Sequence, residues 1–290
     1  MASTGSFATS FPRTDRPELT RISRRPATND SKEAVMPKFH VLSRLGAGLI
    51  LAAAAAPATA VDIEIGGQGW AASPGGDIQH EGDEWSLGGS EDGLGMDRST
   101  AFQGEFELRH GIPFVPNVQA RHSRFSTDGD GEVTAEREFA GETFQIGSDV
   151  ATDFDLDMTD LILSYRILDR MPTVDLDLGV HVRYFDGSVE AEGDYGVRGE
   201  SSFSAPVPML YARGTVDLPL TGVSLKGEGS AIGYDGHMLR DLRAAARYTF
   251  DSGVGLELGY REFRLDIDDL DDVTADIRMD GPYAGVRMTF

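Results

Sequence analysis

Two short acidic segments carry the residue types that hydrolytic chemistry uses. Asp235-Gly236-His237 sets a carboxylate two residues from an imidazole, and Asp83-Glu84 supplies a carboxylate pair of the kind that orients a water while a histidine takes its proton. Any acidic loop with one histidine yields such a match, so a hydrolase stands only as an alternative and no catalytic residue is assigned. Asp128-Gly129-Asp130-Gly131-Glu132 begins like a calcium loop but lacks the later ligands at the required spacing, so no metal site is assigned. His181 reads as a hydrogen-bonding residue within a sheet. No Ser/His/Asp order, phosphate-cradling glycine loop or histidine cluster stands out, and no cofactor is expected. The 35 glycines read as turn and strand-packing residues.

Other charged residues recur at every second position, and that period points to the elements that carry them. Over 174–184, Val174, Leu176, Leu178, Val180, Val182 and Tyr184 take one face of a strand, while Asp175, Asp177, Gly179, His181 and Arg183 take the other. The same alternation runs through 210–218, 242–250 and 254–261. Strands are expected at 61–72, 101–110, 117–127, 153–168, 173–186, 206–218, 222–234, 239–250, 253–267 and 276–290. Ten strands, an even number, suit an up-and-down antiparallel transmembrane barrel, with eight as the alternative. Leu161, Leu163 and Tyr165 are out of step with Leu156 and Met158, and Phe263 with Tyr260. Bulges are the expected cause.

Composition agrees with an exported barrel. The 290 residues contain no cysteine and carry a formal net charge of -22, which excludes disulfides and cysteine-ligated metals and argues against nucleic acid. Residues 1–35 read as disordered or as lying upstream of the true start. Met36 to Ala60 form a signal peptide: Lys38 and Arg44 precede an apolar stretch from Leu45 to Ala56, and Ala58-Thr59-Ala60 offers the cut before Val61. Residues 1–60 hold eight basic and four acidic residues, so 61–290 carries about -26.

Tight turns marked by Pro or Gly at 110–116, 169–172, 219–222 and 251–253 contrast with long connections near 73–100, 128–152 and 187–205, and shorter ones near 235–238 and 268–275. Short turns on one side and longer loops on the other are a barrel signature. Ala284, Val286, Met288 and Phe290 share a face of the last strand. An alternating apolar strand with a terminal aromatic is the mark that the barrel-insertion machinery selects.

Val207-Pro-Met-Leu-Tyr-Ala212, Asp217-Leu-Pro-Leu-Thr-Gly222, Phe250-Asp-Ser-Gly253, Asp280-Gly-Pro-Tyr-Ala-Gly285 and the acidic stretch Asp266–Asp276 resemble a family of Gram-negative outer-membrane β-barrel proteins without an assigned activity. The resemblance spans 61–290 and implies location and fold, with outer-membrane lipid and the insertion machinery as partners. Ten-stranded surface proteases of the omptin kind work with Asp and His at the barrel mouth, the setting in which Asp235 and His237 would act.

The register turns Asp62, Glu64, Glu105, Glu107, Asp160, Asp175, Asp177, Asp217, Glu228 and Glu257 inward, with Arg109, Arg166, Arg183, Arg213, Lys226, Arg243, Arg247, Arg261 and Arg287 among them. Near-balance points to an ion-pair network bracing a filled lumen; a narrow channel or small-molecule uptake porin is the alternative. The excess negative charge falls in the outer loops, which read as a solvated acidic face, with bound divalent cations as the alternative.

Overall fold

A computed structural model of the chain describes residues 61–290 apart from 81–82, 89–93, 113, 134–135, 140, 148, 169–172 and 271–272. In chain order the strands are β1 (Val61–His80), the short β2 (Asp83–Ser86), β3 (Ser99–His110), β4 (Asn117–Glu132), the short β5 (Arg137–Phe139) and β6 (Glu142–Phe144), β7 (Asp149–Leu168), β8 (Val174–Gly193), β9 (Arg198–Leu218), β10 (Val223–Tyr234), β11 (His237–Thr249), β12 (Val254–Leu270) and β13 (Val273–Thr289). The ten long strands pair antiparallel with their chain neighbours, and β13 closes on β1 through pairs such as Ile65↔Met288 and Trp70↔Tyr283. This is the ten-stranded barrel; the eight-stranded alternative falls.

Side-chain alternation divides each strand into two zones. In the half nearer the start of β1, apolar residues face out: Leu178, Val180, Val182 and Tyr184 on β8, Leu256, Leu258 and Tyr260 on β12, Val286 and Met288 on β13 are all exposed. Polar and charged residues face in. Such a belt is stable only against lipid. Beyond it the pattern inverts. On β7, Leu156 and Met158 are buried inside while Asp153 and Asp155 are exposed. On β8, Phe185 faces in and Asp186 out.

The expected bulges are therefore absent where they were placed. Residues 150–166 of β7 pair with β8 without a break, and the only shift comes at Arg166/Leu168. β12 likewise runs in register from Val254 to Ile267 against β13. Leu156 and Phe263 are out of step because the strand leaves lipid for water, which exchanges the polar and apolar faces. The same inversion corrects the long connections. Much of 187–205 is strand, with only a 3-10 turn at Asp194–Gly196 between β8 and β9, and β12 and β13 take up most of 268–275. In 128–152, β4 and β7 extend outward and β5 and β6 form a hairpin.

One hairpin stays low. β10 and β11 turn at Asp235-Gly236, both with positive φ (50° and 88°), the two-residue geometry that follows the strand twist. β9 pairs with β10 only from Leu210↔Ala231 downward, yet it continues beside β8 to Glu192↔Arg198. Arg198–Met209 thus forms a free edge over a notch in the wall. Pro206 and Pro208 lie along it, and neither has an N–H to leave unpaired.

The extended zone also aligns like charges. Asp128, Asp153, Glu190 and Glu200 are successive cross-strand partners on β4, β7, β8 and β9. Arg198 meets Glu190 at one end, and this contact raises the arginine's pKa; Asp153 has a carboxylate on either side. Asp153→Asn is expected to raise the unfolding free energy by roughly 0.2–1 kcal/mol at low ionic strength. The gain should vanish in about 0.5 M NaCl, where the Debye length is only a few ångströms. Urea titrations followed by tryptophan fluorescence measure both; a salt-independent effect would contradict the repulsion.

Candidate functional site: a charged septum beneath an apolar chamber

Because β-strands alternate, every second belt residue must fill a narrow interior. The inward groups interlock in tiers. Nearest the start of β1, Arg213 donates Nη1 and Nη2 to Glu107 at 3.0 and 2.7 Å and Nε to Asp177 at 2.9 Å. Arg109 joins the same two carboxylates at 2.6 and 3.0 Å. Across the lumen, Arg247 bridges Glu64 and Glu257 at 2.7 and 2.9 Å, and Arg287 contacts Glu64, Glu105 and Glu257.

The middle tier centres on Arg121, whose guanidinium lies 3.2 Å from Glu105 and 2.6 Å from Glu228. Lys226 approaches Glu257 at 3.4 Å, and Arg243 donates to Gln103 at 3.0 Å. Neutral groups complete the packing: the Tyr211 and Tyr283 hydroxyls donate to Glu228 and Glu257. Gly259 gives the Tyr283 ring its place, since a Cβ there would lie 2.5 Å from it.

In the uppermost tier Arg183 forks onto Asp160 at 2.7 and 2.9 Å and reaches Asp241 at 2.7 Å. Arg261 forks onto the same Asp241 at 3.0 and 2.6 Å. Two-point arginine–carboxylate contacts are the strongest side-chain pairs available and also fix orientation. His181 lies 2.7 Å from the Ser230 hydroxyl and 3.2 Å from Asp160.

These tiers form a septum. Asp177, Arg183, Glu257 and Arg261 within it are at most 1% exposed. On one side lies a polar vestibule of about 230 Å³ bounded by Asp62, Arg109, Asp175 and Asp217. On the other, a chamber of about 490 Å³ is lined mostly by apolar side chains, Leu156, Phe185, Leu239, Phe263 and Met279 among them. Arg183 and Arg261 lie beneath it, with Arg261 stacked 4.3 Å from the Trp70 ring centroid.

Of the residues placed in the network from sequence, Glu105, Glu107, Arg109, Asp177, Arg183, Arg213, Arg243, Arg247, Glu257, Arg261 and Arg287 lie in the septum. Arg166 and Asp175 instead make a half-exposed pair at 3.5 Å. Asp217 lines the vestibule and has no ion pair among the described residues. Both corrections follow from position, since these residues stand at strand ends where water reaches the lumen. Arg121, which holds two partners, and Asp241, which holds three, were missed. Asp241 shares the parity of Arg243 and was legible; Arg121 sits on a strand polar on both faces, which hides the phase.

Glu64, Glu105 and Glu107 bring carboxylate oxygens within 4.8 Å of one another. Arg247, Arg287, Arg213 and Arg109 already meet them, so the trio anchors cations of the chain itself. Asp235 and His237 close the β10–β11 hairpin, where the His237 Nδ1 accepts the Asp268 N–H at 3.1 Å. Asp83–Glu84 pairs beside β1, with β12 and β13 intervening, and no hydrogen bond joins the two segments among the described residues. Val61 opens β1, whereas Ala58 and Ala60 lie outside the described residues. Ala284, Val286 and Met288 face the lipid, and the Phe290 N–H donates to the Ile63 carbonyl at 2.9 Å.

Among solved structures, the outer membrane protease OmpT from Escherichia coli superposes with a TM-score of 0.51 at 12% identity, over 79% of this chain and 97% of that one. The fold is that of an outer-membrane β-barrel. The attachment invasion locus protein Ail of Yersinia pestis matches at 0.34 and 11% identity over 79% and 99% of the two chains. The Pseudomonas putida toluene transporter TodX matches at 0.30 and 8% over 81% and 90%. No protein-family model and no curated protein matches the sequence. In such a barrel the end holding β1's start and β13's finish is periplasmic, so the vestibule opens to the periplasm and the chamber lies at the outer end.

Asp241→Ala would leave Arg183 and Arg261 short of a buried partner. A loss of about 3–5 kcal/mol is expected, the scale for breaking a buried ion pair from one side. Urea unfolding in lipid vesicles measures it; a change below about 1 kcal/mol, the scale of a surface pair, would show that the tier is not a structural unit.

Proposed function

We propose that the protein is a sealed, non-enzymatic barrel of the outer membrane, with a structural or surface-display role. The observation that carries this reading is the septum. Paired charges of both signs span the lumen, as in Arg121 with Glu228, Arg213 with Glu107 and Arg247 with Glu64, and most of them are buried, whereas a selective pore needs an open path and a surplus of one sign. The acidic outer zone then faces the medium. Its carboxylate rows would recruit divalent cations, which could bridge them to lipid phosphates, and the apolar final strand would serve recognition by the insertion machinery.

Planar-bilayer recording tests closure. Wild-type barrels, with insertion verified by heat-modifiable gel mobility after re-extraction, are expected to give no single-channel steps. The double variant Glu105→Ala/Arg121→Ala, which removes two central side chains, is expected to conduct. Reproducible wild-type steps would overturn the sealed lumen.

Incubation with a mixed peptide library is expected to release no fragments. Cleavage that disappears in His237→Ala would overturn the non-enzymatic reading.

A further inference from the structure

The apolar chamber is not needed to close the barrel, because the septum beneath it already does so. A cavity of about 490 Å³ falls within the roughly 300–1,000 Å³ in which small molecules are held. Of the described side chains lining it, only Tyr234 and His237 carry a nitrogen or oxygen atom, and both stand at the low β10–β11 hairpin. The floor is capped by the Phe185 and Phe263 rings over Arg183 of the upper tier, and Leu87, Leu94 and Met96 lie on the outer side.

The notch supplies access. Phe203 and Tyr234 face inward by strand parity, yet they are 48% and 79% exposed. Both line the chamber. Phe203 lies over Gly187, where a Cβ would come within 2.5 Å of its ring, so the glycine lets an aromatic rest against the wall beside the opening. β9's free edge and the turn at Asp235-Gly236 frame the gap, which stands at the upper limit of the lipid belt: Tyr184 pairs with Pro206, four residues above the last β9–β10 pair. An apolar compartment that opens sideways at the lipid surface admits a solute without passing it through the septum.

Charge narrows the chemistry. Among the described residues no lysine or arginine lines the chamber, and the Asp268 carboxylate stands against Gly236 in the turn at its mouth. A carboxylate or phosphate head group would find no partner there and would meet like charge, at a desolvation cost. We infer that the chamber is a binding site for a lipophile without an anionic head group, about one alkyl chain or aromatic ring system in size, taken in through the notch between β9 and β10. The site lies outside the septum and holds whether or not the septum conducts.

Photolabelling in lipid nanodiscs tests this, with a long-chain alcohol bearing a diazirine in its chain and the carboxylate of equal length. The alcohol is expected to label Leu239, Phe263 and Ile277, with the carboxylate at least fivefold weaker. Ala205→Trp fills the chamber from β9 and is expected to cut this labelling at least tenfold. Ile232→Trp fills it from β10 and keeps the test intact should the first variant fail to fold by gel mobility. Labelling confined to belt residues such as Leu242 and Leu258, or unchanged by chamber filling, would overturn the site. Equal labelling by the carboxylate would overturn the head-group rule. A co-purified phospholipid or glycolipid, detected by native mass spectrometry and lost on filling, would overturn the small-lipophile assignment in favour of a membrane lipid.

Discussion

Closure of the backbone governs everything else in this molecule. In hydrocarbon an unpaired N–H or C=O has no water to turn to, so a sheet that crosses the membrane must end on its own first strand. The β13–β1 register meets that demand. Once the ring is closed, the strand period leaves each side chain one of two destinations, lipid or lumen. The belt residues take the first, and the second becomes a narrow space that charged side chains must fill without water.

The septum shows how a crowded polar interior stays solvent-free. Isolated charges there would carry a large desolvation cost, and the chain avoids isolation by sharing. Asp241 is held by Arg183 and Arg261, and Asp177 by Arg109 and Arg213. Most groups belong to more than one pair, so strands distant in sequence are tied across the lumen: Arg213 to Glu107, and Arg247 to Glu64. Side chains that would otherwise be a liability become cross-braces.

Much of this was legible in the sequence because the period of two is a strong signal. The ten strands lay where alternation placed them, and most of the charge network followed from the parity of clean strands such as 174–184. What sequence reading missed comes from one assumption, that the outward face is apolar throughout. Leu156, Met158 and Phe263 looked like slipped phases because they face a dry chamber above the belt, a compartment that alternation cannot announce. The strand extensions in 187–205 read as loop for the same reason: Asp186, Glu190 and Glu192 lack the apolar partners expected of a membrane strand. Arg121 was hidden by a strand polar on both faces. Nothing in 235–237 announced that its short turn leaves a gap, because the gap depends on how far β9 continues beside β8.

The sharp exchange of faces also settles how deep the barrel rides. On β12, Tyr260 is the last exposed apolar residue before Glu262 and Arg264; on β8, Tyr184 gives way to Asp186. Sinking by one residue pair would carry carboxylates into hydrocarbon around the ring, and rising would bring the aliphatic belt into water. Both displacements are opposed on several strands at once, so vertical drift and rocking are restrained together. The molecule therefore stands at a fixed height, and its acidic rim keeps a constant distance from the lipid head groups.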